Sequence, residues 1–171
     1  MVVLPTNYEQ VFESWLTENR VRYVVIDQQK RRMFARSRIK SFDFLLYPSG
    51  SGPVIAEVKG RRFKGKSLAA LAGLECWVTM EDVRGLTRWE QVFADGFEAA
   101  FIFAYEFENV DVEIDDKDVY DFQNSRYMFY TVRLDDYIEF MKVRSPKWQT
   151  VTLPAAKFRQ FAIPAKDLLL R

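Results

Sequence analysis

Ser41-Phe42-Asp43-Phe44-Leu45-Leu46-Tyr47, then Pro48-Ser49-Gly50-Ser51-Gly52-Pro53, then Val54-Ile55-Ala56-Glu57-Val58-Lys59-Gly60: on this stretch the reading of the chain turns. Two apolar segments flank a turn of Pro, Ser and Gly, the pattern of a β-hairpin. Side chains alternate along a strand, so Glu57 and Lys59 share one face, and Asp43, Leu45 and Tyr47 share one face of the partner strand. A turn centred near Gly50 sets Asp43 opposite Glu57. Two carboxylates and an ammonium then converge on one point, an arrangement that is unfavourable unless it holds a divalent cation.

Charge is segregated around this hairpin. The chain is nearly neutral, at +1, yet Lys30 to Lys66 holds eleven basic residues and only two acidic ones, Asp43 and Glu57. That window carries +9 and leaves −8 for the rest. The two carboxylates are thus embedded in the part of the molecule that attracts a phosphate backbone, while they themselves attract metal ions.

The 171 residues amount to about one domain. A hydrophobic content of 49% with 16% aromatics argues against disorder. One cysteine, Cys76, excludes an internal disulfide framework and fits a reducing compartment. No histidine is present, which excludes His-based triads and His-ligated zinc or haem. The start, Met1-Val2-Val3-Leu4-Pro5, lacks the pattern of a signal peptide, and no 18-residue apolar run is present, so a soluble cytoplasmic protein is the expectation.

Along the chain, Thr6 and Glu9 suit the N-cap and third position of a helix running to about Asn19, with Val11, Phe12, Trp15 and Leu16 in one stripe. Residues 22–27 form a strand. Thr79-Met80-Glu81-Asp82 is a capping box that opens a helix to about Phe93, and a strong apolar strand follows from Ala99 to Phe107. Glu106 to Asp121 carries eight acids against Lys117 and reads as a solvated edge strand and loop. Arg126 to Leu134 is a strand, Asp135-Asp136 caps a helix to about Val143, Trp148 to Leu153 is a strand, and a last helix is interrupted at Pro164. Trp77, Trp89 and Trp148 are expected in the core, and Cys76 is expected to be buried and inert.

Helix with a glutamate, strand, strand with Asp, turn, strand with Glu-x-Lys, helix, strand: this order resembles the PD-(D/E)xK nuclease superfamily, which includes restriction endonucleases and archaeal Holliday junction resolvases. The resemblance spans roughly Tyr8 to Phe107. It implies an α/β (α+β) fold: a restriction endonuclease-like core with a central mixed sheet flanked by helices, about 6–107. A C-terminal extension, about 108–171, packs on that core within a single domain. Asp43 matches the motif aspartate, Glu57 its acidic member, Lys59 its lysine and Glu9 the helix glutamate of resolvase-like members. Phe42 stands where the motif has a nominal proline, a position that carries no chemistry.

The resemblance implies a metal-dependent nuclease acting on DNA, with RNA as the alternative substrate. Asp43, Glu57 and the Val58 carbonyl are the expected ligands of Mg²⁺ or Mn²⁺, and Glu9 completes the shell directly or through water. Lys59 is expected to stay charged and to orient the attacking water. Arg61, Arg62, Lys64 and Lys66, with Arg36, Arg38 and Lys40, are the expected phosphate contacts. Gln91 and Glu13 are further polar candidates near the site. Superfamily members often dimerise to cut two strands, so a homodimer through the tail after Asp121 is one expected assembly. A second functional reading is a nuclease-like module without catalysis that binds nucleic acid or a protein partner. The competing structural reading makes Asp43, Glu57 and Lys59 a surface ion-pair network and Glu9 a cap partner of Thr6.

Overall fold

The computed structural model of the chain describes residues 7–26, 40–63, 73–93, 95–107 and 118–170. Helix α1, Tyr8–Glu18, is capped by Asn7, whose side chain accepts the amide of Gln10 at 3.2 Å. The cap therefore lies one residue later than expected from Thr6, which is outside the described residues, and Glu9 stands at the second helical position. The predicted stripe is the buried one: Val11, Phe12, Trp15 and Leu16.

Strand β1, Arg22–Val25, pairs antiparallel with β2, Phe44–Tyr47, and β2 pairs antiparallel with β3, Val54–Phe63. The hairpin register sets Phe44 opposite Ala56 and Leu45 opposite Ile55, the register that a turn centred on Gly50 requires. Strand β4, Val78–Thr79, leads into helix α2, Met80–Phe93. Strand β5, Glu98–Phe107, then returns parallel to β3, with Glu57 opposite Phe101 and Lys59 opposite Phe103. Strands β6, Tyr120–Phe122, and β7, Ser125–Arg133, form a hairpin, and β7 lies antiparallel against β5. Helix α3, Leu134–Phe140, is followed by β8, Lys142–Ser145, and β9, Thr150–Thr152. Helix α4, Ala155–Phe161, β10, Ile163–Pro164, and helix α5, Ala165–Leu169, complete the order.

The main sheet runs β1-β2-β3-β5-β7-β10, with β6 also on β7, while β4, β9 and β8 make a small second sheet. Residues beyond 107 enter the main sheet through β7 rather than merely lying on it. Alternation along β3 divides the core in two. Ile55 and Phe63 face α2, α3 and α4 together with Phe101, Phe103 and Tyr105, whereas Val54, Ala56 and Val58 face α1 and α5. No helix among the described residues is long and apolar enough to cross a membrane.

Several local expectations are corrected. Lys142 and Val143 belong to β8, because the chain turns extended at Met141, ψ 148°, and pairs with β9 instead of continuing α3. Asp135 and Asp136 sit inside the first turn of α3 rather than capping it. Trp148 is 69% exposed, not core. Glu106 is buried, not solvated: it accepts from Tyr8 and Ser125 hydroxyls, each at 3.1 Å, and pairs with Arg62. Residues 108–117 of the acidic run lie outside the described residues.

Tyr8 fixes the start of α1 against β3. Its ring occupies the space beside Gly60, where an added Cβ would meet Tyr8 Cδ2 at 1.9 Å. Burial, then the charge of Glu106, pushes the Tyr8 hydroxyl up to about 12. A raised pKa means that this contact contributes in full below the unfolded tyrosine value of about 10 and is lost as pH rises through about 12. Gly60→Ala is expected to lower stability by about 1–3 kcal/mol through overpacking. Urea melts should show that penalty disappear in a Tyr8→Ala background; an equal penalty there would remove the Tyr8 contact as its cause.

Candidate active site

Asp43 immediately precedes β2, at the open end of the hairpin, where β3 runs on without a regular partner strand on that side among the described residues. Its backbone still pairs: the Asp43 amide donates to the Ala56 carbonyl and its carbonyl accepts the Ile26 amide, each at 3.0 Å. Its side chain continues the ladder, Oδ2 accepting the Val58 amide at 2.8 Å. The amide and carbonyl of a strand residue point to the same edge, so the Val58 carbonyl is directed to the edge that Asp43 occupies.

Glu57 and Lys59 project from β3 toward α2. Asp43 and Glu57 are both buried, at 5% and 7% exposure. Lys59 Nζ lies 3.2 Å from Glu57 Oε1 and 2.9 Å from Asp82 Oδ2. Lys40 Nζ pairs with the other oxygen of Asp82 and stands 3.9 Å from Glu57 Oε1. Burial pushes the Lys59 ammonium below the ordinary lysine value, with Glu57 and then Asp43 opposing the shift and Lys40 adding to it. Among the described residues, three carboxylates stand against two ammonium groups in this cluster.

Asp82 is the residue that sequence reasoning missed as part of the site. The capping box is present: Thr79 Oγ1 accepts the Asp82 amide at 3.1 Å, and Asp82 Oδ2 accepts the Thr79 amide at 2.9 Å. The same carboxylate, 2% exposed, anchors both lysines. A signal was available, since Asp82 stands at helical spacing on the stripe of Val83, Leu86 and Trp89, and a carboxylate on an apolar stripe needs a partner. Close packing brings Lys40 there. Gly85 lets α2 approach, since a Cβ at that position would meet Lys40 Cβ at 3.1 Å, and Trp89 Nε1 donates to the Lys40 carbonyl at 2.7 Å.

The other candidates are dispersed. Glu9 is half-buried in the first turn of α1, which covers the sheet face opposite to Glu57 and Lys59. Glu13 accepts from the Tyr23 hydroxyl at 3.2 Å and belongs to the contact between α1 and β1. Gln91 is exposed, more than two turns along α2 from Asp82. Arg61 is turned inward: it donates to the Gly60 and Trp77 carbonyls at 2.8 and 2.5 Å and stacks on the Trp77 ring at 4.2 Å. Arg62 reaches Glu106 on the other face at 3.6 Å. Arg36, Arg38, Lys64 and Lys66 lie outside the described residues. Cys76 is buried, and burial pushes its thiol up, as suits an inert group.

Asp43, Glu57 and the Val58 carbonyl are hard oxygen donors at one end of the hairpin, the kind of set that suits Mg²⁺ or Mn²⁺ with several retained waters. The donor chemistry fits. Among the described residues no three His, Cys, Asp or Glu side chains gather as a complete metal cage, and Asp82 is turned to the lysines.

No family model and no curated protein matches the sequence. The fold is similar to that of Hjc from Archaeoglobus fulgidus, a Holliday junction resolvase from an archaeal hyperthermophile, with a TM-score of 0.54 at 10% identity. The match covers 96% of this chain and 93% of that one. The likeness is one of fold, and it agrees with the expected mixed sheet flanked by helices.

Asp82→Asn should remove the carboxylate that Lys40 and Lys59 share and lower stability by about 3 kcal/mol. Thr79→Ala, which removes only the cap, should cost about 1 kcal/mol. Urea denaturation of the two variants separates the roles; equal losses would reduce Asp82 to a capping residue.

Proposed function

We propose that this chain is a metal-dependent nuclease that hydrolyses phosphodiester bonds in DNA, with Asp43, Glu57 and Lys59 as its catalytic residues. The observation that carries this reading is the convergence of two buried carboxylates at the open end of the hairpin, with Lys59 Nζ 3.2 Å from Glu57. The resolvase-like fold supports it and brings branched DNA into the set of substrates to be tested.

A bound Mg²⁺ or Mn²⁺ supplies Lewis acidity and a water of lowered pKa. Asp43, Glu57 and the Val58 carbonyl would hold it, and Glu9, on the helix that packs behind the sheet, would join only around the open edge of β3. Lys59 orients the attacking water and stabilises the charge that develops on the phosphoryl oxygens. Asp82 is a positioning residue: it fixes the Lys59 ammonium from the side opposite Glu57 and draws Lys40 to the rim. Lys40, with Arg36, Arg38, Lys64 and Lys66, meets phosphates flanking the scissile bond, contacts that position DNA without reading its sequence, while Arg62 is held by Glu106 on the other face. Arg61, turned inward onto Trp77, is left out of this set.

Cleavage of supercoiled plasmid, linear duplex, single strand, flap and four-way junction in Mg²⁺ or Mn²⁺ tests this. The wild type should cut at least one of these. Asp43→Ala and Glu57→Ala should abolish cutting, Lys59→Ala should slow it about 10²-fold or more, and Glu9→Gln should slow it less. Cleavage that survives in Asp43→Ala and Glu57→Ala refutes the assignment. A folded wild type that binds DNA and cuts none of the panel is the non-catalytic module instead.

A further inference from the structure

The hairpin formed by β8 and β9 lies outside the machinery described so far and carries the most exposed large aromatic among the described residues. Trp148 is 69% exposed at the tip, and Val143 is 68% exposed beside it. Lys142, Arg144 and Lys147 are exposed on the same arm. From Lys142 to Lys166 the chain has six basic residues and no acidic one. The three on the arm are separate in sequence from the window around Asp43 and Glu57.

The arm is ordered and tied to the candidate site. Its turn is closed by the Trp148 amide donating to Ser145 Oγ and the Gln149 amide donating to the Pro146 carbonyl, each at 3.3 Å. The Gln149 carbonyl accepts the Met80 amide at 2.9 Å, so the residue after Trp148 is fixed to the helix start that presents Asp82. Arg144 stacks on the Trp77 ring at 4.8 Å, and Arg61 of β3 stacks on that ring at 4.2 Å.

We propose that this hairpin is a second DNA-binding element, in which Trp148 stacks on an unpaired base while Lys142, Arg144 and Lys147 take the adjoining phosphates. The proposal deepens the nuclease reading and rests on it for the direction of the substrate. An exposed indole needs a free π-face, and the bases of an intact duplex present none, whereas an unpaired nucleotide does. Lys147, 5.3 Å over the Trp148 ring, and Lys142 and Arg144 on the same arm match a phosphate backbone and oppose a second copy of the arm, which would bring like charges together. The substrate class is therefore DNA that carries unpaired nucleotides next to the cleavage point.

Fluorescence anisotropy without divalent metal tests the arm apart from catalysis. The probes are a labelled duplex and the same duplex with a single-stranded extension. Trp148→Ala should weaken binding of the extended probe about tenfold and leave the plain duplex within about twofold. Trp148→Phe should restore most of the difference. The Lys142→Ala, Lys147→Ala double variant should lower the salt dependence of binding by about 1.5 to 2. Unchanged binding of the extended probe by Trp148→Ala overturns the proposal, as does an equal loss on both probes. Sedimentation showing that Trp148→Ala turns a dimer into a monomer also overturns it, assigning the surface to a second copy. Failure of the nuclease reading shows separately, as cleavage indifferent to Asp43 and Glu57.

Discussion

One hydrogen bond, from the Val58 amide to the Asp43 carboxylate at 2.8 Å, joins the fold to the chemistry. It stands where a backbone acceptor from β2 would otherwise be, so the strand pairing ends in a carboxylate rather than a carbonyl. That bond fixes Asp43 beside the strand that carries Glu57 and Lys59. It also sets the Val58 carbonyl toward the same edge. The remainder of the cluster is a consequence of burial. Carboxylates this far from water need compensating charge, and Lys59 and Lys40 supply it with Asp82 as their common partner.

Two packing events hold that arrangement from opposite faces of the sheet. Behind it, Tyr8 fills the space left open by Gly60, and its hydroxyl donates to buried Glu106. In front, α2 comes close enough at Gly85 for Trp89 to take the Lys40 carbonyl, which brings Asp82 within reach of both lysines. The parallel pairing of β3 with β5 makes the floor rigid, since Phe101 and Phe103 stand opposite Glu57 and Lys59 in the register. The polar cluster is thus mounted on the most buried part of the sheet, where its geometry has little freedom to relax.

Local patterns were legible in the sequence. The hairpin register followed from the turn, the buried stripe of α1 from its periodicity, and the start of α2 from its capping box. Tertiary effects were not. Asp82 was visible as a cap, but its second role depends on how α2 docks across the sheet. Arg61 read as a phosphate contact because charge alone was visible, and the neighbour that turns it inward, Trp77, comes from sixteen positions away. Trp148 read as core because tryptophan usually is, while the short turn after β8 places it outward. Glu9 was assigned to the site by resemblance, and its helix packs on the sheet face away from Glu57 and Lys59.

The most direct test of the account is Mn²⁺ titration followed by electron paramagnetic resonance, which counts bound ions without requiring a substrate. The wild type should bind Mn²⁺. Asp43→Ala and Glu57→Ala should lose that binding while keeping the circular dichroism of the folded protein. A wild type that takes up no Mn²⁺, or binding that persists in both variants, would contradict the assignment of these carboxylates as a metal centre.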